Sequence, residues 1–224
     1  MAAKTTPVIS RAMEDYLKAI YELAAEDSLV TTSRVAAAMS CRPASVTNMV
    51  QRLSDLKLVE YRRYKGVRLT PAGTRIALEI IRHHRLLELY LSEVLGYTWD
   101  KVHEEADLLE HVISEEFEEK IDQALGYPRK DPHGDPIPTK KGEIDLERLG
   151  RLWDMVAGQE TRVRRVSDKD PNVLRHLASI GIFPDVKLDL VRRDPFNGPV
   201  YVRVNGVEHG LSEELARQIF VSLP

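Results

Sequence analysis

Two imidazoles and two carboxylates recur at helical spacing in an acidic part of the sequence. The stretch that carries them, residues 102–120, has the composition of a helix, with no proline or glycine. Positions i, i+4, i+7 and i+8 share one helical face, and here they hold His103, Asp107, Glu110 and His111. This set is unsuited to an apolar core and is the usual ligand set of a divalent cation, so it predicts a metal site.

His84 and Glu88 repeat the i, i+4 spacing on the preceding helical segment. Either pair alone fits a solvated acidic face that carries a stray histidine. Both pairs together, on consecutive helices, favour a shared set of metal ligands.

Length and composition limit the class of protein. The 224 residues suffice for two or three small domains. The single cysteine, Cys41, excludes a disulfide framework and a thiolate zinc site, and it suits a cytoplasmic protein. No apolar run approaches the ~20 residues of a membrane span, and the N-terminus lacks the apolar core of a signal peptide. We therefore expect a cytoplasmic protein without membrane association.

Charge is distributed unevenly along the chain. Residues 1–73 hold 11 Lys/Arg against 7 Asp/Glu, whereas residues 74–126 hold 5 against 13. The remainder, residues 127–224, is nearly balanced, with 16 against 15. A basic segment suits a polyanion and an acidic one suits a cation, which predicts separate nucleic-acid and metal-binding domains.

The basic segment, residues 1–73, has the element order of a winged helix-turn-helix domain. Periodicity and start signals predict three helices followed by a β-hairpin with Lys65-Gly66 between its strands. The predicted ranges are Ser10 to about Glu26, then 34–40, then about Ala44 to Leu56, with the hairpin at 58–70. In this arrangement the third helix enters the major groove of DNA and the wing contacts the backbone.

Candidate DNA contacts follow from that arrangement. Small hydrogen-bonding groups and a guanidinium at the start of the third helix suit base edges, and the basic wing suits phosphates. The candidates are Arg42, Ser45, Thr47 and Asn48 on the helix and its approach, Arg62, Arg63 and Lys65 near the wing, and Arg34 on the second helix. A small domain with a solvated basic hairpin is the alternative.

Residues 74–148 are predicted to be a helical dimerisation and metal-binding domain. One helix runs from about Thr74 to Leu95, a second starts at Lys101 behind the capping residue Asp100, and a third runs from Glu115 to Leu125. So few helices bury little core alone, which favours a homodimer. Prolines and glycines from residue 127 predict an irregular linker.

Residues 149–224 show the pattern of a small β-barrel. Strands are predicted at 160–167, 187–193, 199–206 and 218–223, with a helix at 172–181. Asn205-Gly206 predicts a tight hairpin turn. The fold class is therefore mainly α with small β parts.

Several segments together resemble the diphtheria toxin repressor and manganese transport regulator family of metal-dependent transcriptional regulators. They are TTPVISRAMEDYLKAIYEL, RPASVTNMVQRLSDLKLVEY, KGVRLTPAG, RHHRLLELYL, KVHEEADLLEHVIS and DPHGDPIP. The resemblance runs along essentially the whole chain. It implies a winged-helix domain, a helical dimerisation domain with the metal site, and a C-terminal SH3-like (FeoA-like) domain.

The resemblance also implies a ligand set. It adds Asp15 of the first helix to the histidines and carboxylates at 84, 88, 103, 107, 110 and 111. It adds Asp131 and His133 of the linker and, near Asp168 and Asn172, Asp170 to an ancillary site. Solvated loop residues and a helix cap are the alternatives for the last three. Carboxylates at 15 and 107 resemble the manganese branch, although Lys18 departs from its two-metal cluster.

We therefore expect a Mn²⁺- or Fe²⁺-dependent regulator that binds a double-stranded DNA operator and represses metal-uptake genes. Metal binding would lock the homodimer in its DNA-binding conformation. One alternative is a winged-helix regulator that senses another ligand. A metal-dependent hydrolase is the other, but no nucleophile is evident, so we expect no enzymatic activity.

Overall fold

The structure, a computed structural model, describes residues 9–24 and 29–223. The chain forms two compact units. One consists of the described part of Met1–His83 with Pro138–Glu143, and the other of His84–Ile137 with the described part of Ile144–Pro224. Each unit is described by itself below.

The first unit contains the predicted three helices and hairpin. They are α1 (Arg11–Ala24), α2 (Thr32–Ala38), α3 (Pro43–Asp55), β1 (Val59–Arg62) and β2 (Gly66–Leu69). The predicted end of the first helix, at Glu26, lies outside the described residues. Thr31 caps α2 by accepting a hydrogen bond from the backbone N–H of Arg34, and Pro43 occupies the first turn of α3.

The hairpin is anchored to the segment before α2. Val30 and Val67 exchange backbone hydrogen bonds of 2.9 and 2.8 Å. A Cβ at Gly66, which has a φ of +137°, would lie 2.6 Å from the carbonyl oxygen of Val30. Glycine is therefore required here both for its conformation and for the close approach of the two backbones.

The long helix α4 (Pro71–Glu93) begins three residues before the predicted start at about Thr74 and ends two residues before the predicted end at Leu95. Thr70 Oγ1 accepts the N–H of Gly73 at 3.2 Å, as an N-cap does. Pro71 suits a first helical position because it has no N–H to satisfy. Gly73 allows contact with the wing, since a Cβ would lie 2.0 Å from the carbonyl oxygen of Leu58.

Residues 102–120 belong to two helices, and the predicted start of the second at Glu115 is confirmed, whereas the first ends before Glu110. Helix α5 (Val102–Leu109) ends before Glu110, and α6 (Glu115–Ala124) begins after Ser114, whose side chain accepts the N–H of Phe117. Glu110 and His111 therefore extend from the turn between α5 and α6. The N-cap of α5 is Lys101, not the predicted Asp100, which instead accepts a 2.8 Å hydrogen bond from Arg175.

The linker, residues 127–144, is irregular, as predicted. The structure shows neither helix nor strand there, apart from an isolated bridge between Lys130 and Pro136. No helix among the described residues is long and apolar enough to cross a membrane.

The elements within residues 149–223 are β3 (Leu149–Arg151), a 3₁₀ turn (Leu152–Asp154), β4 (Glu160–Val166), α7 (Pro171–Ser179), β5 (Lys187–Arg193), β6 (Val200–Val204), β7 (Val207–Leu211), α8 (Glu213–Ala216) and β8 (Ile219–Ser222). Their strands form one antiparallel sheet in the order β3-β8-β4-β5-β6-β7. The predicted turn at Asn205-Gly206 is present, with positive φ at both residues, and joins β6 to β7. The buried core is mainly aliphatic, with Val163, Leu174 and Val202 among its members, and it also contains Trp153.

Candidate metal centre and nucleic-acid interface

His84 and Glu88 project from one face of α4, one helical turn apart, and both are buried. His84 Nε2 lies 3.0 Å from Glu88 Oε1. The two nitrogens of the His84 ring face two different sets of side chains, and each nitrogen contacts two of them directly. These sets are named here the Glu110 cluster (Asp107, Glu110 and His111) and the Glu88 cluster (Glu88, His103, Asp131, His133 and Asp168).

The Glu110 cluster surrounds Nδ1 of His84. This nitrogen lies 2.6 Å from Glu110 Oε2 and 3.2 Å from Asp107 Oδ1. The other oxygen of Glu110 lies 3.2 Å from His111 Nε2. Asp107 is supplied by the last turn of α5, whereas Glu110 and His111 are supplied by the turn that follows it. The end of α5 thus brings both carboxylates to the same imidazole.

The Glu88 cluster surrounds Nε2 of His84. His103 Nδ1 lies 3.1 Å from both Glu88 Oε1 and His84 Nε2. Asp168, just beyond β4, places Oδ2 at 3.4 Å from His103 Nδ1. Four ligand atoms from three separate segments of the chain therefore converge on one point.

The linker adds Asp131 and His133 to this cluster. His133 Nε2 donates to the carbonyl oxygen of Trp99 at 2.7 Å, so Nδ1 is the nitrogen that faces Glu88. Its distance to Glu88 Oε2 is 3.8 Å, too long for a hydrogen bond, and neither atom has a hydrogen-bond partner among the described residues. Two buried polar atoms that face each other without a partner are the sign of a missing ligand or water.

The neighbouring carboxylates also raise the pKa values of His84, His103 and His133. Burial disfavours the charged form of His84, but the charge of Glu88 and hydrogen bonds to Asp107 and Glu110 outweigh it and hold its pKa well above the ordinary value. Asp168 and Glu88 raise the pKa of His103 to about 10. Burial lowers the pKa of His133, yet the adjacent Glu88 carboxylate raises it to about 9. Protons on the histidines thus balance the carboxylates.

The donor set fits a divalent cation. It combines imidazole nitrogens, which can bind a metal in their neutral form, with carboxylate oxygens. It includes no thiolate, because the only cysteine of the sequence, Cys41, lies between α2 and α3. Burial of Asp131, with the charges of Glu88 and Asp135, raises its pKa well above the ordinary value. An added positive charge would remove the cost of grouping these carboxylates.

Two further predicted ligands are Asp15, on α1, and Asp170, at the start of α7. Asp15 is a half-buried residue of α1, in the first unit. Asp170 caps α7 by accepting the N–H of Asn172 at 2.8 Å, and it belongs to none of the ligand groups among the described residues. The structure therefore brings Asp168 to the cluster in place of Asp170. An aspartate directly before Pro171 was a helix-cap signal in the sequence.

The predicted base-contacting residues of α3 lie on its exposed side. Val46, Val50 and Leu53 face the core of the unit. The four candidates Arg42, Ser45, Thr47 and Asn48 are exposed. Thr47 Oγ1 donates to the carbonyl oxygen of Pro43 at 3.1 Å, which leaves its methyl group and its acceptor capacity for a partner.

The wing presents Arg62, Arg63 and Lys65 as exposed side chains, whereas Arg34 of α2 is half-buried. Tyr64, at the tip of the wing, is 91% exposed, with the Arg63 guanidinium 5.1 Å from its ring centroid. The sequence prediction did not include Tyr64. An aromatic residue between three basic ones was the signal available.

Three family descriptions match this chain in order. "Iron dependent repressor, N-terminal DNA binding domain" matches residues 8–67, and "Iron dependent repressor, metal binding and dimerisation domain" matches residues 70–139. The FeoA domain matches residues 151–223. The diphtheria toxin repressor of Corynebacterium efficiens is 30% identical over 218 residues, covering 93% of this chain and 94% of the relative.

The chain belongs to the iron-dependent repressor family. The iron-dependent repressor IdeR of Mycobacterium tuberculosis is also 30% identical, over 221 residues that cover 93% of this chain and 95% of the relative. Family membership confirms the predicted fold class, a winged helix-turn-helix domain, a helical dimerisation domain and an SH3-like C-terminal domain. Members of this family are transcriptional repressors, so the hydrolase alternative is excluded.

Several solved structures are similar to this chain over nearly its whole length. A manganese-dependent transcriptional repressor in complex with manganese has a TM-score of 0.87 and 38% identity, covering 93% of this chain and 98% of the other. ScaR with bound Cd²⁺ has a TM-score of 0.79 and 34% identity, with coverage of 94% and 98%. The manganese regulator SloR has a TM-score of 0.76 and 32% identity, with coverage of 98% and 100%.

Proposed function

We propose that this member of the iron-dependent repressor family is a Mn²⁺- or Fe²⁺-activated homodimeric repressor that binds an operator in double-stranded DNA in the cytoplasm. The observation that carries the proposal is the pair of ligand clusters on either side of His84. Its Nδ1 lies 2.6 Å from Glu110 and its Nε2 lies 3.0 Å from Glu88. Similar proteins include repressors dependent on manganese and on iron.

The two clusters would hold separate cations. The Glu110 cluster supplies two carboxylates and an imidazole, and the sequence resemblance predicts Asp15 as a further ligand. The Glu88 cluster supplies Glu88, His103, Asp131, His133 and Asp168. Carboxylate and imidazole ligands without sulfur favour Mn²⁺ or Fe²⁺ over thiophilic metals.

The residues of these clusters act on conformation rather than on bond chemistry. When bound, a divalent cation supplies the positive charge that keeps carboxylates from different segments together. Without it, the clustered carboxylates are offset only by protonated imidazoles of the same clusters. Ligand ordering of α4, the α5–α6 turn and the linker would restrict the dimer to the form that binds DNA.

A second copy of the chain is the expected partner of the α5–α6 surface. Leu108, Val112 and Phe117 are 60%, 72% and 46% exposed there. An apolar surface of this kind favours an interface. In the dimer each exposed face of α3 would reach one half-site, about 34 Å from the other along the duplex.

Fluorescence anisotropy of labelled operator DNA tests the proposal directly. Binding should require Mn²⁺ or Fe²⁺ and should vanish when a chelator is added, then return with excess metal. Equal affinity with metal and with chelator would overturn the proposal. The variant His111→Gln, which removes a ligand of the Glu110 cluster, should reduce the metal response without unfolding the protein.

A further inference from the structure

We propose that Arg165 of the C-terminal domain is a positioning residue for the second cation site. Together with Arg85 of α4 it holds Asp135, and thereby fixes the linker residues 131–136, named here the ligand loop, which carry Asp131 and His133. This inference rests on the proposed cation at the Glu88 cluster. It makes the affinity of that site depend on a residue that contacts none of its ligands.

The first observation is a clasp of two guanidinium groups on one carboxylate. Asp135 Oδ1 accepts from Arg165 Nη1 at 3.0 Å and from Arg85 Nη2 at 3.3 Å. Arg85 and Asp135 are largely shielded from water, with side-chain exposures of 16% and 15%. Charge-assisted bonds shielded in this way hold geometry better than exposed ion pairs do.

Each arginine has a further hold on its own side. Arg85 Nη1 donates to the carbonyl oxygen of Pro136 at 2.5 Å, and its Nε lies 3.7 Å from Asp131 Oδ2. The guanidinium of Arg165 lies 3.9 Å from the ring centroid of Phe220 on β8. The clasp therefore connects α4, through the ligand loop, to the sheet of the C-terminal domain.

The backbone of β4 supports the same loop. The N–H of Val166 donates to the carbonyl oxygen of His133 at 2.9 Å. Gly134, with a φ of +92°, lies so close to β4 that a Cβ would be 2.1 Å from the carbonyl oxygen of Arg164. Three consecutive residues of β4, at positions 164, 165 and 166, thus contact three consecutive residues of the loop.

Inside the loop, the clasp is transmitted to the ligands by short hydrogen bonds. Asp131 Oδ1 accepts the N–H groups of His133 and Asp135, each at 2.9 Å. Movement of Asp135 would therefore change the orientation of the Asp131 carboxylate and of His133 Nδ1. Loss of the clasp removes none of the ligand side chains but leaves them less ordered. The affinity for the cation then falls, because binding must order them.

Linkage makes the effect reciprocal. If docking of the C-terminal domain on the ligand loop favours the cation, the cation must favour docking by the same factor. The cation affinity of the second site would then depend on whether the C-terminal domain contacts the ligand loop. Asp168, just after β4, adds a direct ligand from the same strand end.

The test is calorimetric titration of the full-length metal-free dimer with Mn²⁺, comparing the wild type with Arg165→Met. The matched control is Arg192→Met, because Arg192 also stacks on an aromatic ring of this sheet, Tyr201, and pairs with an aspartate. We expect two equivalents per chain in all three proteins. In Arg165→Met one equivalent should bind about tenfold more weakly and the other normally, with partial rescue by Arg165→Lys.

Trp99 provides a second readout. Its ring stacks on His133 with a centroid distance of 5.7 Å. In a Trp153→Phe background its fluorescence should follow the weaker equivalent alone. Should Arg165→Met melt below the assay temperature, Asp135→Ala carries the same expectation from the other side of the clasp.

The outcomes are distinct. A wild type that binds one equivalent overturns the second cation site of the proposed function. A wild type that binds two, with Arg165→Met and Asp135→Ala binding both normally, overturns the positioning role alone. An equal loss in Arg192→Met would also overturn it, because the effect would then reflect the stability of the sheet.

Discussion

At the scale of single residues, His84 is the group on which both clusters depend. A neutral imidazole has one lone pair, so it can ligate one cation while its other nitrogen donates a hydrogen bond. In this chain Nδ1 faces Glu110 and Nε2 faces Glu88. His133, in contrast, contributes to the Glu88 cluster alone.

This difference predicts unequal effects of two similar substitutions. His84→Gln should weaken both equivalents of Mn²⁺, each by about tenfold or more, because it removes a ligand from one cluster and a hydrogen-bond donor from the other. His133→Gln should weaken one equivalent only. Calorimetric titration of each metal-free variant separates the two results, and a His84 variant that loses a single equivalent would contradict the shared role.

The pH dependence of metal binding has a definite sign. The pKa values of His103 and His133, about 10 and about 9, lie above neutral pH, so both imidazoles carry protons in the metal-free protein at pH 7. A cation must displace these protons, and rising pH removes the competitor. Affinity for Mn²⁺ should increase about tenfold per pH unit for each proton displaced, between about pH 6.5 and pH 8.5.

Titrations in buffers of different ionisation enthalpy measure the protons released.

The stability of the metal-free protein should change with pH in the opposite direction. The raised pKa values contribute stability that is complete below the ordinary histidine pKa and is lost as the pH rises through about 9 to 10. Metal affinity that does not change with pH would contradict protonated imidazoles in the metal-free clusters.

At the scale of elements, α3 and the wing should make different kinds of DNA contact. Asn48, exposed on α3, should read a base edge, so Asn48→Ala should cost about 1–3 kcal/mol against the operator and little against unrelated DNA. Arg63→Ala should weaken binding to all sequences and reduce the salt dependence of log K by about 1. Anisotropy at several salt concentrations distinguishes the two variants. Glu60→Gln, a substitution on β1 of the wing, is the control. Identical profiles for both variants would refute the assignment.

The limits of prediction from sequence also lie at this scale. Periodicity located α1, α3 and most strands of the C-terminal sheet, because each buries a regular apolar face. It located the start of α6 at Glu115 but not the end of α5 at Leu109, because Glu110 to Ile113 contain no helix breaker. The family resemblance supplied Asp131 and His133.

Tertiary contacts account for what the sequence could not show. Asp168 and Asp170 are both acidic residues before α7. The Asp170-Pro171 pair is a local cap signal, but only the position of β4 brings Asp168 to His103. The role of Gly134 depends on β4, which is distant in sequence. The clasp on Asp135 is likewise a contact between segments that no local pattern indicates.

At the scale of the whole molecule, DNA affinity should depend on dimerisation through the α5–α6 surface. Val112→Glu places a charge at a position that is 72% exposed in the single chain and would be buried by a second copy. We expect monomers in analytical ultracentrifugation and a loss of operator affinity of about 100-fold or more, because the two half-sites are no longer bound together. Binding of Mn²⁺ to the Glu88 cluster should remain.

Phe196→Glu is the matched control for this experiment, because Phe196 is a fully exposed apolar residue in the loop between β5 and β6. That variant should stay dimeric and keep its operator affinity. If Val112→Glu remained a dimer with unchanged affinity, the interface would lie on another surface. If it became monomeric yet bound the operator as the wild type does, a single winged-helix domain would account for recognition, and the geometry of paired half-sites would no longer be needed to explain it.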